Sequence, residues 1–111
     1  MPAEATLELL SDPTRRTVVR LLAERPHQAG ELASAAGVSR PAMSRHLRLL
    51  SDRGMVEHER PGEDGRGRLY RLRPEPFAEL QDWLARLSRM WQGELDAFAR
   101  LAEQEAARGH D

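Results

Sequence analysis

"VSRPAMSRHLRLLSDRGMV", residues 38–56, decides the fold. Ser39 is a good N-cap, Pro41 suits a first helical turn, and Gly54 is a C-terminal stop. On a helical wheel at roughly 100° per residue, Met43, His46, Leu47 and Leu50 share one side. Arg40, Pro41, Ser44, Arg48 and Ser51 take the other, with Arg45 at its border. The apolar stripe belongs in a core. The opposite stripe is basic and hydroxyl-bearing, and no acid follows it until Asp52.

Immediately upstream, "HQAGELASAAGVS" predicts a short helix over 28–36 around Leu32, Ala33, Ala35 and Ala36, stopped by Gly37. Two helices joined by "GVS" form a helix-turn-helix, whose second helix enters the major groove of DNA. Downstream, Met55–Arg60 and Leu69–Arg73 are strand-like, and Pro61, Gly62, Gly65 and Gly67 mark the tip of a hairpin between them. That hairpin carries Arg60, Arg66, Arg68, Arg71 and Arg73, diluted by Glu63 and Asp64. It is the expected wing of a winged helix. Two strands alone are marginal, so they must pack on the helices.

The flanks are helical too. Leu7, Leu9 and Leu10 lie on a short helix over 3–10. Asp12 and Pro13 then open a second one, with Val18, Leu21 and Leu22 facing inward and Pro26 ending it. After Pro76 a long helix repeats Phe77, Leu80, Leu84, Leu87, Trp91, Leu95 and Phe98 at three- and four-residue steps. Thirty residues span about 45 Å, more than the preceding domain can cover. The uncovered apolar stripe calls for a partner, most economically a second copy. The expected architecture is mainly α with a small β-hairpin wing: one winged helix-turn-helix domain over 1–111. It divides into an N-terminal helix (1–12), a winged-helix core (13–73) and a dimerisation helix (74–111).

Charge supports this division. Residues 13–73 hold 13 arginines against seven acids, while the two ends are acidic. All 17 basic residues are arginine, whose planar fork binds phosphates and base edges bidentately. Double-stranded DNA is therefore the expected partner. Ser39, Arg40, Pro41 and Ser44 suit the groove end of the helix, Arg45 and Arg48 suit phosphates, and Arg66 and Arg68 act from the wing. A solvated charged face is the bland alternative, and a winged helix that binds protein is another.

Other classes fare worse. The chain has no cysteine, which removes disulfides, thiolate metal sites and cysteine nucleophiles. Its four histidines, His27, His46, His58 and His110, are scattered, whereas zinc needs three or four ligands together. No Ser/His/Asp set, phosphate loop or catalytic carboxylate pair stands out, so no enzyme and no cofactor are expected. No apolar run approaches membrane-spanning length and no signal-peptide layout is present, which favours a cytoplasmic protein.

Three stretches, "LSDPTRRTVVRLLAERP", "GELASAAGVSRPAMSRHLRLLSDRGMVEHER" and "GRGRLYRL", resemble the ArsR-type winged-helix repressors. The resemblance covers roughly residues 7 to 100, and the Ser-Arg-His-Leu run and the Gly-Met-Val before the wing are its most specific parts. It implies a homodimeric repressor built from the first and last helices, on a partly palindromic operator. Leu7 and Leu10 would then join Leu80, Leu84, Leu87, Trp91, Leu95 and Phe98 at the dimer interface. Metal-sensing members carry Glu-Leu-Cys-x-Cys where this chain has Glu31-Leu32-Ala33-Ser34-Ala35. This sequence looks more like the cysteine-free subgroup, whose inducer is generally unclear. Trp83 and Trp91 could line a pocket for a small-molecule effector between protomers, although packing is the default role of such residues.

Overall fold

The computed structural model describes residues 3–59 and 67–109. Its elements run α1 (Ala3–Leu9), α2 (Pro13–Glu24), β1 (His27–Gln28), α3 (Ala29–Ala36), α4 (Arg40–Asp52), β2 (Val56–His58), β3 (Leu69–Leu72) and α5 (Glu75–Arg108). The chain divides into two compact units, residues 1–80 and 81–111.

Local chemistry sets most boundaries in the first unit. The Asp12 carboxylate accepts the Arg15 N–H at 3.0 Å, capping α2, with Pro13 in the first turn. Ser39 Oγ accepts the Ala42 N–H at 3.2 Å and caps α4. Both helices of the helix-turn-helix end in a Schellman motif. Gly37 (φ 70°) and Gly54 (φ 75°) take the left-handed conformation that side chains disfavour. The Val38 N–H then reaches Ala33 O at 3.1 Å, and the Met55 N–H reaches Leu50 O at 2.9 Å. Val38 and Met55, just past the two glycines, both pack on the core.

That core is Leu9, Val18, Leu22, Leu32, Ala33, Met43, Leu47, Leu50, Met55 and Val56. Met43, Leu47 and Leu50 are fully buried, as the helical wheel requires. Leu10, Leu21, Tyr70, Leu72 and Phe77 pack partly buried around it. The inward stripe of α2 is therefore Val18 and Leu22, with Leu21 at its edge.

The wing differs from the expected hairpin in two ways. It is a three-stranded antiparallel sheet of order β1-β3-β2. β1 pairs His27 with Tyr70 and Gln28 with Leu69, so the strand after the tip is central. The strands are also shorter than the sequence suggests. Met55 belongs to the core, and the Arg73 N–H donates to its carbonyl at 2.9 Å just beyond β3. Arg60, Pro61, Gly62 and Gly65 lie outside the described residues. The third strand answers the marginality of two: its His27 is buried, with Nδ1 3.3 Å from Glu31 Oε2 of α3. Glu31 Oε1 also accepts the Gln28 N–H at 3.2 Å, and these contacts hold its carboxyl below the usual range, the backbone bond most strongly.

α5 starts at Glu75, one residue before Pro76, and its 34 residues span about 51 Å. In the second unit, Leu84, Met90, Trp91, Leu95, Phe98 and Leu101 are exposed. Trp83 and Leu87 are half-buried. No described helix is long and apolar enough to cross a membrane.

Candidate nucleic-acid interface

With Met43, Leu47 and Leu50 committed to the core, the other face of α4 must lie outside. Ser39, Arg40, Pro41, Ser44, Arg45 and Arg48 are all exposed. Ser39 does two jobs, since its hydroxyl caps the helix while its side chain stands at the exposed end. His46 sits at the border of the core face. Its Nδ1 lies 3.4 Å from Arg15 Nη1, and Arg15 Nε donates to Leu9 O at 2.7 Å. This arginine thus ties the end of α1 to α4, a structural role for a residue in the basic segment.

The wing meets α4 across two clefts. One, of about 230 Å³, is lined by Ser44, Arg48 and Asp52 from α4 and by His58, Arg68 and Tyr70 from the wing. The other, of about 390 Å³, is lined by Arg40, Ser44 and Arg68 together with Gln28, Ala29 and Gly30 at the start of α3. Ser44 and Arg68 border both. The structure therefore brings Arg40, Ser44, Arg48 and Arg68 to two clefts that share Ser44 and Arg68. Arg45 is exposed but lines neither cleft, and Arg66 lies outside the described residues.

Two lining residues escaped the sequence reading. His58 and Tyr70 are cross-strand partners whose ring centroids stand 5.2 Å apart at 55°. They floor the cleft between helix and wing. In the sequence His58 is one of four scattered histidines, set on the first wing strand. Hairpin register was the missing signal, because a long glycine-rich tip does not specify which residues face each other. Arg71 Nη2 of β3 donates to Glu59 Oε1, just past β2, so one wing arginine is paired within the wing, at its surface. Among the described residues no group of three or more His, Cys, Asp or Glu could hold a metal ion. Ala33 is buried in the core and Ala35 is exposed.

A helix-turn-helix closed by a three-stranded wing, with arginines on the exposed face of its second helix, defines the winged helix-turn-helix class. A family profile described as "Helix-turn-helix domain" matches residues 10–59. The chain is 40% identical over 98 residues to the HTH-type transcriptional regulator Rv2034 of Mycobacterium tuberculosis, covering 88% of this chain and 86% of that one. It is 35% identical over 54 residues to the transcriptional repressor SdpR of Bacillus subtilis, which covers 49% of this chain and 60% of SdpR. The solved structure of an ArsR-like transcriptional regulator from Rhodococcus sp. RHA1 superposes with a TM-score of 0.73 at 30% identity, over 91% of this chain and 90% of that one. The chain belongs to the ArsR-type winged helix-turn-helix family of transcriptional regulators.

Proposed function

We propose that this protein is a homodimeric, cytoplasmic repressor that recognises a partly palindromic operator in double-stranded DNA. The observation that carries the reading is the face of α4. Arg40, Ser44, Arg45 and Arg48 are presented outward because Met43, Leu47 and Leu50 anchor the helix from behind. α4 lies in the major groove. Ser39, Arg40, Pro41 and Ser44, at its N-terminal end, meet base edges, where guanidinium forks discriminate best. Arg45 and Arg48, further along, meet phosphates, as does Arg68 from the wing. Arg66 belongs to the same wing set by its place in the sequence.

The second copy is argued from α5. Leu84, Trp91, Leu95 and Phe98 recur on a helical stripe and are exposed, and a contiguous apolar face of that kind marks an association surface. The resemblance assigns Leu7, Leu10, Leu80 and Leu87 to the same dimer interface; Leu7 is exposed on α1, and the other three are half-buried. Two-fold symmetry then places two α4 helices on half-sites about 34 Å apart or a multiple of it. Repression agrees with the similarity to SdpR, a transcriptional repressor. The regulators matched here point away from an enzyme, and the absence of cysteine at positions 33 and 35 points away from a thiolate-based metal sensor.

The test enriches duplexes from a random-sequence pool on the pure protein. The most enriched duplex and a scrambled version are then titrated across a salt series. A two-fold-related pair of half-sites, bound more tightly than the scrambled duplex, is the expected outcome. Equal affinity for every duplex would refute sequence-specific recognition.

A further inference from the structure

Gly30 is out of place by local rules. It stands in the first turn of α3, a helical position where alanine is favoured. Its backbone does not need glycine either, because among the described residues only Gly37 and Gly54 have positive φ. What it lacks is room. A Cβ built there would sit 2.5 Å from Arg40 Nη2, 3.2 Å from Cζ and 3.4 Å from Nε. The three nearest atoms all belong to one guanidinium. Arg40 therefore lies back across the bare first turn of α3, at the edge of the cleft it shares with Ser44 and Arg68.

We propose that Gly30 is a specificity-positioning residue: by omitting a side chain it seats the Arg40 guanidinium, and so sets the pose from which this regulator reads DNA bases. This rests on the reading of α4 as the groove helix. The seat is a van der Waals one. Among the described residues no carboxylate forms an ion pair with Arg40, and Glu31, next to Gly30, is occupied by Gln28, His27 and Arg25. A long side chain ordered only on binding loses rotamer freedom at that moment, whereas one already seated loses less. The seat also aims a planar fork whose bidentate pairing depends on orientation. Arg40 is exposed, so a methyl at position 30 displaces the far end of its side chain and leaves the fold intact.

The experiment is a double-mutant cycle of wild type, Gly30→Ala, Arg40→Ala and the double variant, titrated against the enriched duplex and its scrambled version. Gly30→Ala should melt no lower than wild type, because it improves helix propensity. It should nonetheless reduce discrimination between the two duplexes by roughly three- to tenfold per half-site, similarly at low and high salt. In the Arg40→Ala background the same substitution should change discrimination by less than about twofold, since coupled residues are non-additive. Unchanged discrimination in Gly30→Ala, or an equal loss in both backgrounds, overturns the proposal. A second readout needs no DNA. The Arg40 Nε–Hε signal, assigned by its loss in Arg40→Ala, should report a restrained side chain in wild type and a mobile one in Gly30→Ala. Equal mobility overturns the seat. If wild type enriches no duplex, the groove reading itself fails, and the nitrogen relaxation shows separately whether the seat exists.

Discussion

Arg48→Ala should change how binding depends on salt more than which sequence is bound. Arg48 stands on the exposed face of α4, two helical turns beyond Arg40, where a groove-bound helix meets the backbone. It lines the same cleft as Asp52, yet among the described residues no carboxylate forms an ion pair with it. Its charge is therefore available to a phosphate. Each phosphate neutralised releases counterions and contributes about 0.9 to the slope of log affinity against log salt. Two protomers lose one contact each, so the slope should fall by about 1.8. Raising salt fourfold, from about 50 to 200 mM, would then shrink the wild-type advantage by roughly tenfold. The variant should weaken the enriched and scrambled duplexes alike. The assay is a fluorescence-anisotropy titration of both duplexes at five salt concentrations. An unchanged slope, with affinity lost only for the enriched duplex, would mean that Arg48 reads bases. The assignment of the N-terminal end of α4 to bases and of Arg48 to the backbone would then be wrong.

Arg40→Ala should do the reverse, losing discrimination by about 1–3 kcal/mol per half-site if each copy makes one good bidentate base contact. Equal weakening of both duplexes in the same titration would refute that role. Trp91→Asp, placing a charge in the exposed apolar stripe of α5, should give monomers or insoluble protein, whereas wild type should sediment as a dimer at micromolar concentration. A monomeric wild type would remove the case for two half-sites. Asp12→Ala should cost about 1 kcal/mol at neutral pH through loss of the α2 cap. The Arg15 backbone N–H holds the Asp12 carboxyl below its usual range, so this stabilisation is present above the unfolded-state value and fades as pH falls through the folded one. The gap between wild type and variant in urea unfolding should accordingly narrow in strong acid, and a constant gap would contradict it. Zinc, arsenite and cadmium at stoichiometric, non-denaturing concentrations should leave the enriched duplex bound, with reversal by a chelator after metal-induced release as the contrary result.

Elements whose cause is local could be read directly from the chain. The α4 wheel separated Met43, Leu47 and Leu50 from Arg40, Ser44 and Arg48, because a 3.6-residue period needs only neighbouring residues to reveal it. Asp12, Ser39, Gly37 and Gly54 marked helix ends because caps act within one turn. Features that join distant segments had to wait for tertiary structure. β1 is two residues long and has no pattern of its own; its hydrogen bonds exist only because Leu69 and Tyr70 come alongside. The His58–Tyr70 floor depends on hairpin register, which the glycine-rich tip leaves open. Nothing beside Gly30 in the sequence explains it, since its partner is a guanidinium ten residues away that arrives only when α3 and α4 pack together. Periodicity and capping energies are written in sequence neighbours, whereas strand pairing and close approach depend on which separated residues the packed core brings face to face.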